Sequence, residues 1–284
     1  MDILFYAGLA ATGLTAGLLG ALLGLGGGVF VVPALSLIFG LPQLVAVGTS
    51  NLAVIATSTA GASVYVRNRL TNVRLALILL VPTTLAALIS SLIASFLPQQ
   101  VLSGLFAIIL LYTSYTMLTN RELAPPAGSD EAIEATDALD LKAAHYDAAS
   151  GNVEIYTPRR VREGMSVNAL AGVLAGLLGV GGGVVQMPVM NLLMGVPLKV
   201  ATGTSSFMIG VTATSAAFVR YAHGDIDPLI AVPTALFVFV GARIGAWLVP
   251  RAPNAILRRI FGWVAIIIAM LMILQALGIY RAGR

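Results

Sequence analysis

The chain contains no cysteine, and charged residues make up only 10% of its 284 positions. Without thiols it has no disulfide, no thiol nucleophile and no Cys-ligated metal. The shortage of charge excludes a water-soluble domain, in which roughly a quarter of residues are charged. Acid is scarcest where chemistry would need it. Nine of the 12 Asp and Glu residues fall within 120–164, and apart from Asp2 none interrupts an apolar run. That leaves no carboxylate relay of the kind that proton- or sodium-coupled pumps place inside the membrane. A carboxylate pair, a metal-ligand cluster and a nucleophile beside its base are missing too. The stretch Gly24-Leu25-Gly26-Gly27-Gly28 is not a GxGxxG turn after a strand, and no Gly-Lys-Ser/Thr follows it. The chain is read as not an enzyme, with no cofactor and no metal.

What is present is hydrophobicity. Hydrophobic residues are 58% of the chain and the mean hydropathy is +0.94. Apolar runs near the ~20 residues that span a bilayer recur along it. The fold class is an all-α polytopic membrane protein of 8–10 membrane helices. The first run starts at Ile3 without an Arg/Lys-rich leader and continues into a glycine motif, so it reads as part of the fold. The net charge of +4 comes from short basic clusters between apolar runs. This is the pattern of cytoplasmic membrane loops rather than of a nucleic-acid surface. The partners expected are the lipid bilayer and a small anion, with no nucleic acid; the oligomeric state is open.

One stretch is written twice. GALLGLGGGVFVVPAL, Gly20 to Leu35, returns as GLLGVGGGVVQMPVM, Gly176 to Met190, at an offset of 155 (179 − 24). Gly40-Leu41-Pro42 recurs as Gly195-Val196-Pro197, and Gly48-Thr49-Ser50-Asn51 as Gly203-Thr204-Ser205-Ser206. A collinear series of this length marks an internal duplication. It divides the chain into a first transmembrane repeat, 1–119, an acidic hydrophilic linker, 120–164, and a second repeat, 165–284.

Residues 3–41 would make one helix almost 60 Å long at about 1.5 Å per residue, twice the hydrocarbon core of about 30 Å. The chain must break at the glycines, as two crossings or as a re-entrant hairpin. Spans at 43–66, 75–96 and 102–118 follow, with Pro82 inside the second. The second half repeats the plan with a broken segment at 166–194 and spans at 199–220, 229–249 and 256–278. Its turn at 221–227 reads as four residues short, because Pro82 and Pro233 are 151 apart rather than 155. The linker reads as a solvated connector or a regulatory segment, with one short helix in 130–149. Arg67, Arg69 and Arg74 on one side, and Arg159, Arg160 and Arg162 on the other, place their turns in the cytoplasm. Charge counting hardly separates parallel from inverted repeats. Inverted is favoured, because paired Gly/Pro-interrupted segments point to a midplane site in inverted-repeat transporters.

A helix broken within a bilayer leaves N–H and C=O groups that must be satisfied, and a helix starting after the break offers N–H groups to an anion. Gly26, Gly27, Gly28 and Gly181, Gly182, Gly183 are therefore candidate substrate-binding residues; tight helix packing is the other reading. Thr49, Ser50, Asn51 and Thr204, Ser205, Ser206 offer donors to oxyanion oxygens or else cap helices. Thr57, Ser58, Thr59, Thr212 and Thr214 continue the hydroxylated strip. Gln186 adds an amide where the first half has Val31. Arg243 is the deepest basic residue, for substrate or for a helix terminus. Lys199 and Arg220 lie near span ends and can snorkel. Trp247 and Trp263 suit the interface, and His223 with Asp225 and Asp227 forms a possible proton-coupling turn. Driving an anion out of a negative interior yields ~2.3 kcal/mol per charge per 100 mV, so export needs no acidic relay.

GLLGALLGLGGGVFVVPAL and GVLAGLLGVGGGVVQMPVM, each followed by GLPxxxAVGTSN or GVPxxxATGTSS and a Thr/Ser/Ala-rich span, resemble the TauE/SafE sulfite exporter family, also described as TSUP permeases or as domain of unknown function 81. The resemblance covers nearly all of the chain outside 120–164. It implies a bacterial inner-membrane carrier of about eight spans in two halves. Its implied substrates are sulfur-containing anions such as sulfite, sulfoacetate, thiosulfate or taurine-related sulfonates. The motif falls on Gly26–Gly28, Pro33, Thr49–Asn51, Gly181–Gly183, Pro188 and Thr204–Ser206. The expected function is export of sulfite or an organosulfonate by alternating access. An anion channel, and a membrane sensor or assembly protein acting through 120–164, are the competing readings.

Overall fold

The computed structural model describes residues 3–119, 141–147 and 152–277. The first half runs α1 (Ile3–Leu22), α2 (Gly28–Pro33), α3 (Gln43–Arg67), α4 (Val73–Ile93) and α5 (Gln99–Thr119). A hairpin of β1 (Ala143–Asp147) and β2 (Asn152–Tyr156) follows. The second half runs α6 (Val161–Leu178), α7 (Gly183–Pro188), α8 (Leu198–Ala222), α9 (Pro228–Leu248) and α10 (Asn254–Ala276). Six of the described helices are long and apolar enough to cross a membrane. Their exposed faces carry large apolar side chains, such as Leu77, Val81 and Leu85 on α4 and Leu236 and Val240 on α9. An outward apolar surface of this kind needs lipid around it, and the chain is a multi-pass membrane protein.

The offset of 155 holds through the whole helical frame. It relates the starts of α2 and α7 (183 − 28), α3 and α8 (198 − 43), α4 and α9 (228 − 73) and α5 and α10 (254 − 99). The α8–α9 connection is therefore not shortened, contrary to the proline spacing. Pro82 and Pro233 occupy different turns of equivalent helices, and a displacement of four residues is about one turn. Local chemistry is duplicated as well. Pro42 and Pro197 precede α3 and α8 with the same extended backbone. Asn72 and Asp227 cap α4 and α9, accepting from the N–H groups of Leu75 and Leu229. After Pro33 and Pro188, α2 and α7 each continue as five residues of π-helix, 34–38 and 189–193. Proline supplies no N–H to the α ladder, and the wider ladder ends with Phe39 N–H on Ala34 O (3.2 Å) and Met194 N–H on Val189 O (3.0 Å).

Each broken segment is a hairpin that leaves at the end where it entered. The Phe5 and Phe39 rings meet edge to face at 5.3 Å, and Gly164 abuts Met194. α3 and α8 pack together at the centre with opposite directions: Gly48 lies against Asp225, Gly61 against Ser206, and Leu70 against Gly203. By contrast α1 runs along α9 (Gly13 at Thr234, Gly17 at Val238), and α6 runs along α4 (Gly172 at Thr83, Gly176 at Ala87). Those small residues bring the backbones into contact, the main source of helix association in lipid.

Of the linker the structure describes a strand pair, with residues 143–147 as its first strand; the Pro-rich start and residues 130–140, most of the stretch expected to hold a short helix, lie outside the described residues. The hairpin is also docked. Leu141 is buried in the main core, Asn72 Nδ2 donates to Leu141 O (3.4 Å) and to the Tyr156 hydroxyl (3.3 Å), and Arg159 N–H donates to Met194 O (3.0 Å).

Candidate functional site

The two glycine motifs meet at the centre. Gly24 and Gly26 have φ of 67° and 74°, and Gly179 and Gly181 of 69° and 74°, a left-handed region that glycine alone adopts freely. These residues turn each hairpin sharply enough to bring the tips together. A Cβ on Gly28 would lie 2.7 Å from Gly179 O, and one on Gly183 would lie 2.6 Å from Gly24 O. The glycines are required by this approach, so packing and chain reversal coincide at one place.

Two hydroxyls lock the tips reciprocally. Ser50 Oγ on α3 donates to Gly179 O (2.6 Å), and Ser205 Oγ on α8 donates to Gly24 O (2.8 Å). Each serine serves a carbonyl at the end of the opposite half's first helix, a group with no partner in its own helix. N-capping is excluded for both triplets, because they lie inside α3 and α8, whose N-caps are Pro42 and Pro197. Between the tips packs a pair at the same offset, Val54 and Ile209 (209 − 54 = 155), touching Gly26 and Gly181. Gly27 N–H donates to Thr57 Oγ1 (3.1 Å).

The halves are not identical. Gly27 has φ −59° and Gly182 has φ +78°. Thr204 Oγ1 accepts from Asn72 N–H (3.0 Å), whereas the Thr49 hydroxyl is buried with no hydrogen-bond partner. Both amide atoms of Gln186 and of Asn51 are likewise buried and unpaired. Gln186 Nε2 lies 3.1 Å from where a Cβ on Gly182 would stand. Ser206 lends its carbonyl to Ser58 Oγ (2.6 Å). The structure thus gathers the six tip glycines, Ser50 and Ser205, with Thr49, Asn51, Gln186, Thr204 and Ser206 buried on the surrounding helices. Arg243 is not among them; it projects from the exposed side of α9. Lys199 and Arg220 do not snorkel. Both are buried, Lys199 Nζ donating to Pro250 O (3.1 Å) and Arg220 Nη1 pairing with Asp225 Oδ2 (3.1 Å). The last contact takes Asp225 into an ion pair and leaves His223 exposed at the α8 end. Among the described residues no group of three His, Asp or Glu could hold a metal.

The sequence profile of sulfite exporter TauE/SafE matches residues 9–272. The chain belongs to the TauE/SafE family. It is a membrane transporter and not an enzyme. It is similar to the probable membrane transporter protein YunE of Bacillus subtilis, with 26% identity over 84% of this chain and 86% of that one. It is also similar to a probable membrane transporter protein of Xylella fastidiosa, with 26% identity over 90% and 92%. A shorter match, 29% identical over 61% of this chain, is to the probable membrane transporter protein MamO of Magnetospirillum gryphiswaldense, of which it covers 29%. No solved structure matches. The TauE/SafE profile takes in both glycine motifs and the helices α3, α4, α8 and α9.

Sequence reasoning missed Val54 and Ile209 because each is an ordinary apolar residue in an apolar helix. Their one signal was the offset of 155, which the duplicated glycines had already supplied. It also missed Asn168, buried on α6, whose Oδ1 is unpaired while its Nδ2 donates to Gly164 O (2.8 Å). In the first half that position is Gly13.

Proposed function

We propose that this TauE/SafE protein carries a small sulfur-containing anion, sulfite or an organosulfonate such as sulfoacetate or taurine, across the bacterial inner membrane by alternating access at the hairpin tips. The observation that carries the reading is the reciprocal pair Ser50–Gly179 and Ser205–Gly24. It ties each half to the other's helix break through one hydrogen bond, so rocking the halves exchanges these bonds without exposing the core. The Gly26 and Gly27 N–H groups already donate to Gly20 O (3.2 Å) and Thr57 Oγ1 (3.1 Å), so when the tips part it is the N–H groups of Gly28 and Gly181–Gly183 that face the gap. They can take the place of water around an oxyanion. Ser50, Ser205 and Thr204 complete that shell, with Thr49, Asn51, Ser206 and Gln186. Arg243, outside the gap, adds no charge to it. The linker 120–164 and its hairpin lie on the cytoplasmic side, beside the turn bearing Arg67, Arg69 and Arg74.

The test is counterflow of labelled sulfite, sulfoacetate and taurine in proteoliposomes. Exchange of at least one of them should saturate, and Gly28→Val or Gly183→Val should abolish it, since neither position has room for a Cβ. Unsaturable flux would mean a channel instead. Exchange at the wild-type rate in both valine variants would remove the tips from the transport path.

A further inference from the structure

We infer that the site reads its ligand through neutral amides, and so takes singly charged sulfur oxyanions in preference to dianions. The inference rests on the transport reading above and adds the charge class of the substrate. Asn51 and Gln186 are both fully buried, and none of their four amide oxygens and nitrogens has a hydrogen-bond partner. A folded membrane protein rarely leaves such groups unpaired unless water or a ligand meets them. Both stand at the hairpin tips. Gln186 Nε2 lies against Gly182, and Asn51 follows Ser50 and precedes by one turn Val54, which touches Gly26, Gly28 and Gly181.

The cations are committed elsewhere. Lys199 donates to Pro250 O and Arg220 pairs with Asp225 at the end of α8. The other Lys and Arg side chains that the structure describes lie at helix ends, on the linker or, for Arg243, on the exposed side of α9. Among the described residues the only other titratable side chain buried on these helices is Tyr65, whose hydroxyl donates to Ala21 O (2.6 Å). A dianion would bring two charges to a site that offers only dipoles, the costly case for a buried ion. A monoanion brings one. Primary amides also present two acceptor oxygens as well as donors. Hydrogensulfite can give such an oxygen its proton, and taurine its ammonium; sulfite dianion and sulfate have nothing to give.

The experiment compares initial rates in proteoliposomes for isethionate, a monoanion at every pH used, and for sulfite, sulfate and thiosulfate. It is run on both sides of the second ionisation of sulfite. Isethionate should move at a rate independent of pH. Sulfite should slow about tenfold for each pH unit above that ionisation, as its protonated form disappears. Sulfate and thiosulfate should be at least about tenfold slower than isethionate, the factor that one unit of differential interaction produces. Gln186→Leu should raise the KM for isethionate by a similar factor without lowering the unfolding temperature, because it removes an unpaired buried amide. Dianions carried as fast as isethionate, or an unchanged KM in Gln186→Leu, would overturn the inference and leave sulfur-anion transport standing. Transport of none of the four, and of neither sulfoacetate nor taurine, would overturn both.

Discussion

Gly27 and Gly182 are equivalent in sequence and different in backbone, and that difference is measurable. At Gly182 the φ of +78° penalises any side chain, and a Cβ would sit 2.9 Å from Ala171 O. At Gly27 the φ of −59° suits any residue, and the nearest atom to a Cβ is the Thr57 hydroxyl at 3.0 Å. Gly182→Ala should therefore cost roughly 1–3 kcal/mol, and Gly27→Ala distinctly less. Thermal unfolding in detergent would show this, and equal losses would contradict the φ difference. The serines make the opposite case. Ser50→Ala and Ser205→Ala each leave one buried carbonyl unpaired, worth about 1–3 kcal/mol, and should destabilise alike. Because both bonds hold one junction, the double variant should depart from additivity. An additive double variant would mean that the two bonds act independently.

At the scale of elements, Asn72 joins three of them. Its side chain caps α4 and reaches Leu141 and Tyr156 of the linker, and its N–H donates to Thr204 on α8. Asp227, its counterpart, caps α9 but has no hairpin over it among the described contacts. Loss of a cap alone costs about 1 kcal/mol. Asn72→Ala should cost more than that and speed proteolysis at 141–158, while Asp227→Ala should show the cap loss only. Burial pushes the Tyr156 hydroxyl above its ordinary pKa of 10.0, against the Asn72 hydrogen bond, which favours the phenolate; the hydroxyl stays neutral, and the buried docking of the hairpin weakens only as pH rises above that ordinary value. The elements were mostly legible beforehand, because a broken apolar segment of 3–41 cannot span as one helix and because apolar runs of spanning length follow it in both halves. The hairpin was not legible. Ala143–Asp147 is a short alternating stretch in an acidic linker, and what fixes it is docking on Asn72 and Met194, contacts distant in sequence. From sequence the serines are ligand donors or helix caps; their use on each other's helix ends follows only once the two tips are known to touch.

The molecule as a whole is two copies of one unit joined at their weakest points, the helix breaks. The offset of 155 fixed which residues correspond but not how the copies face each other. Proline spacing misled because Pro82 and Pro233 lie at different turns of equivalent helices. Direction came only from packing, in the opposed run of α3 against α8. Charge was a poorer guide. Arg243 lies deep in its sequence span yet on an exposed face, while Arg220, near a span end, is wholly buried. Sequence depth measures distance along a helix and says nothing of the face. On the proposed path, a unit with its tips clasped and apolar Val54 and Ile209 between them parts the tips to pass an ion.

The most direct measurement is therefore flux of labelled sulfur anions into proteoliposomes under an imposed membrane potential, with pH and sodium gradients collapsed. Wild-type protein should be compared with Gly28→Val and Gly183→Val. Saturable, potential-sensitive flux of a sulfite or sulfonate anion is expected in the wild type, and none in either variant shown to be folded. Full flux through tips filled in this way, or none of any sulfur anion in vesicles holding folded wild-type protein, would contradict it.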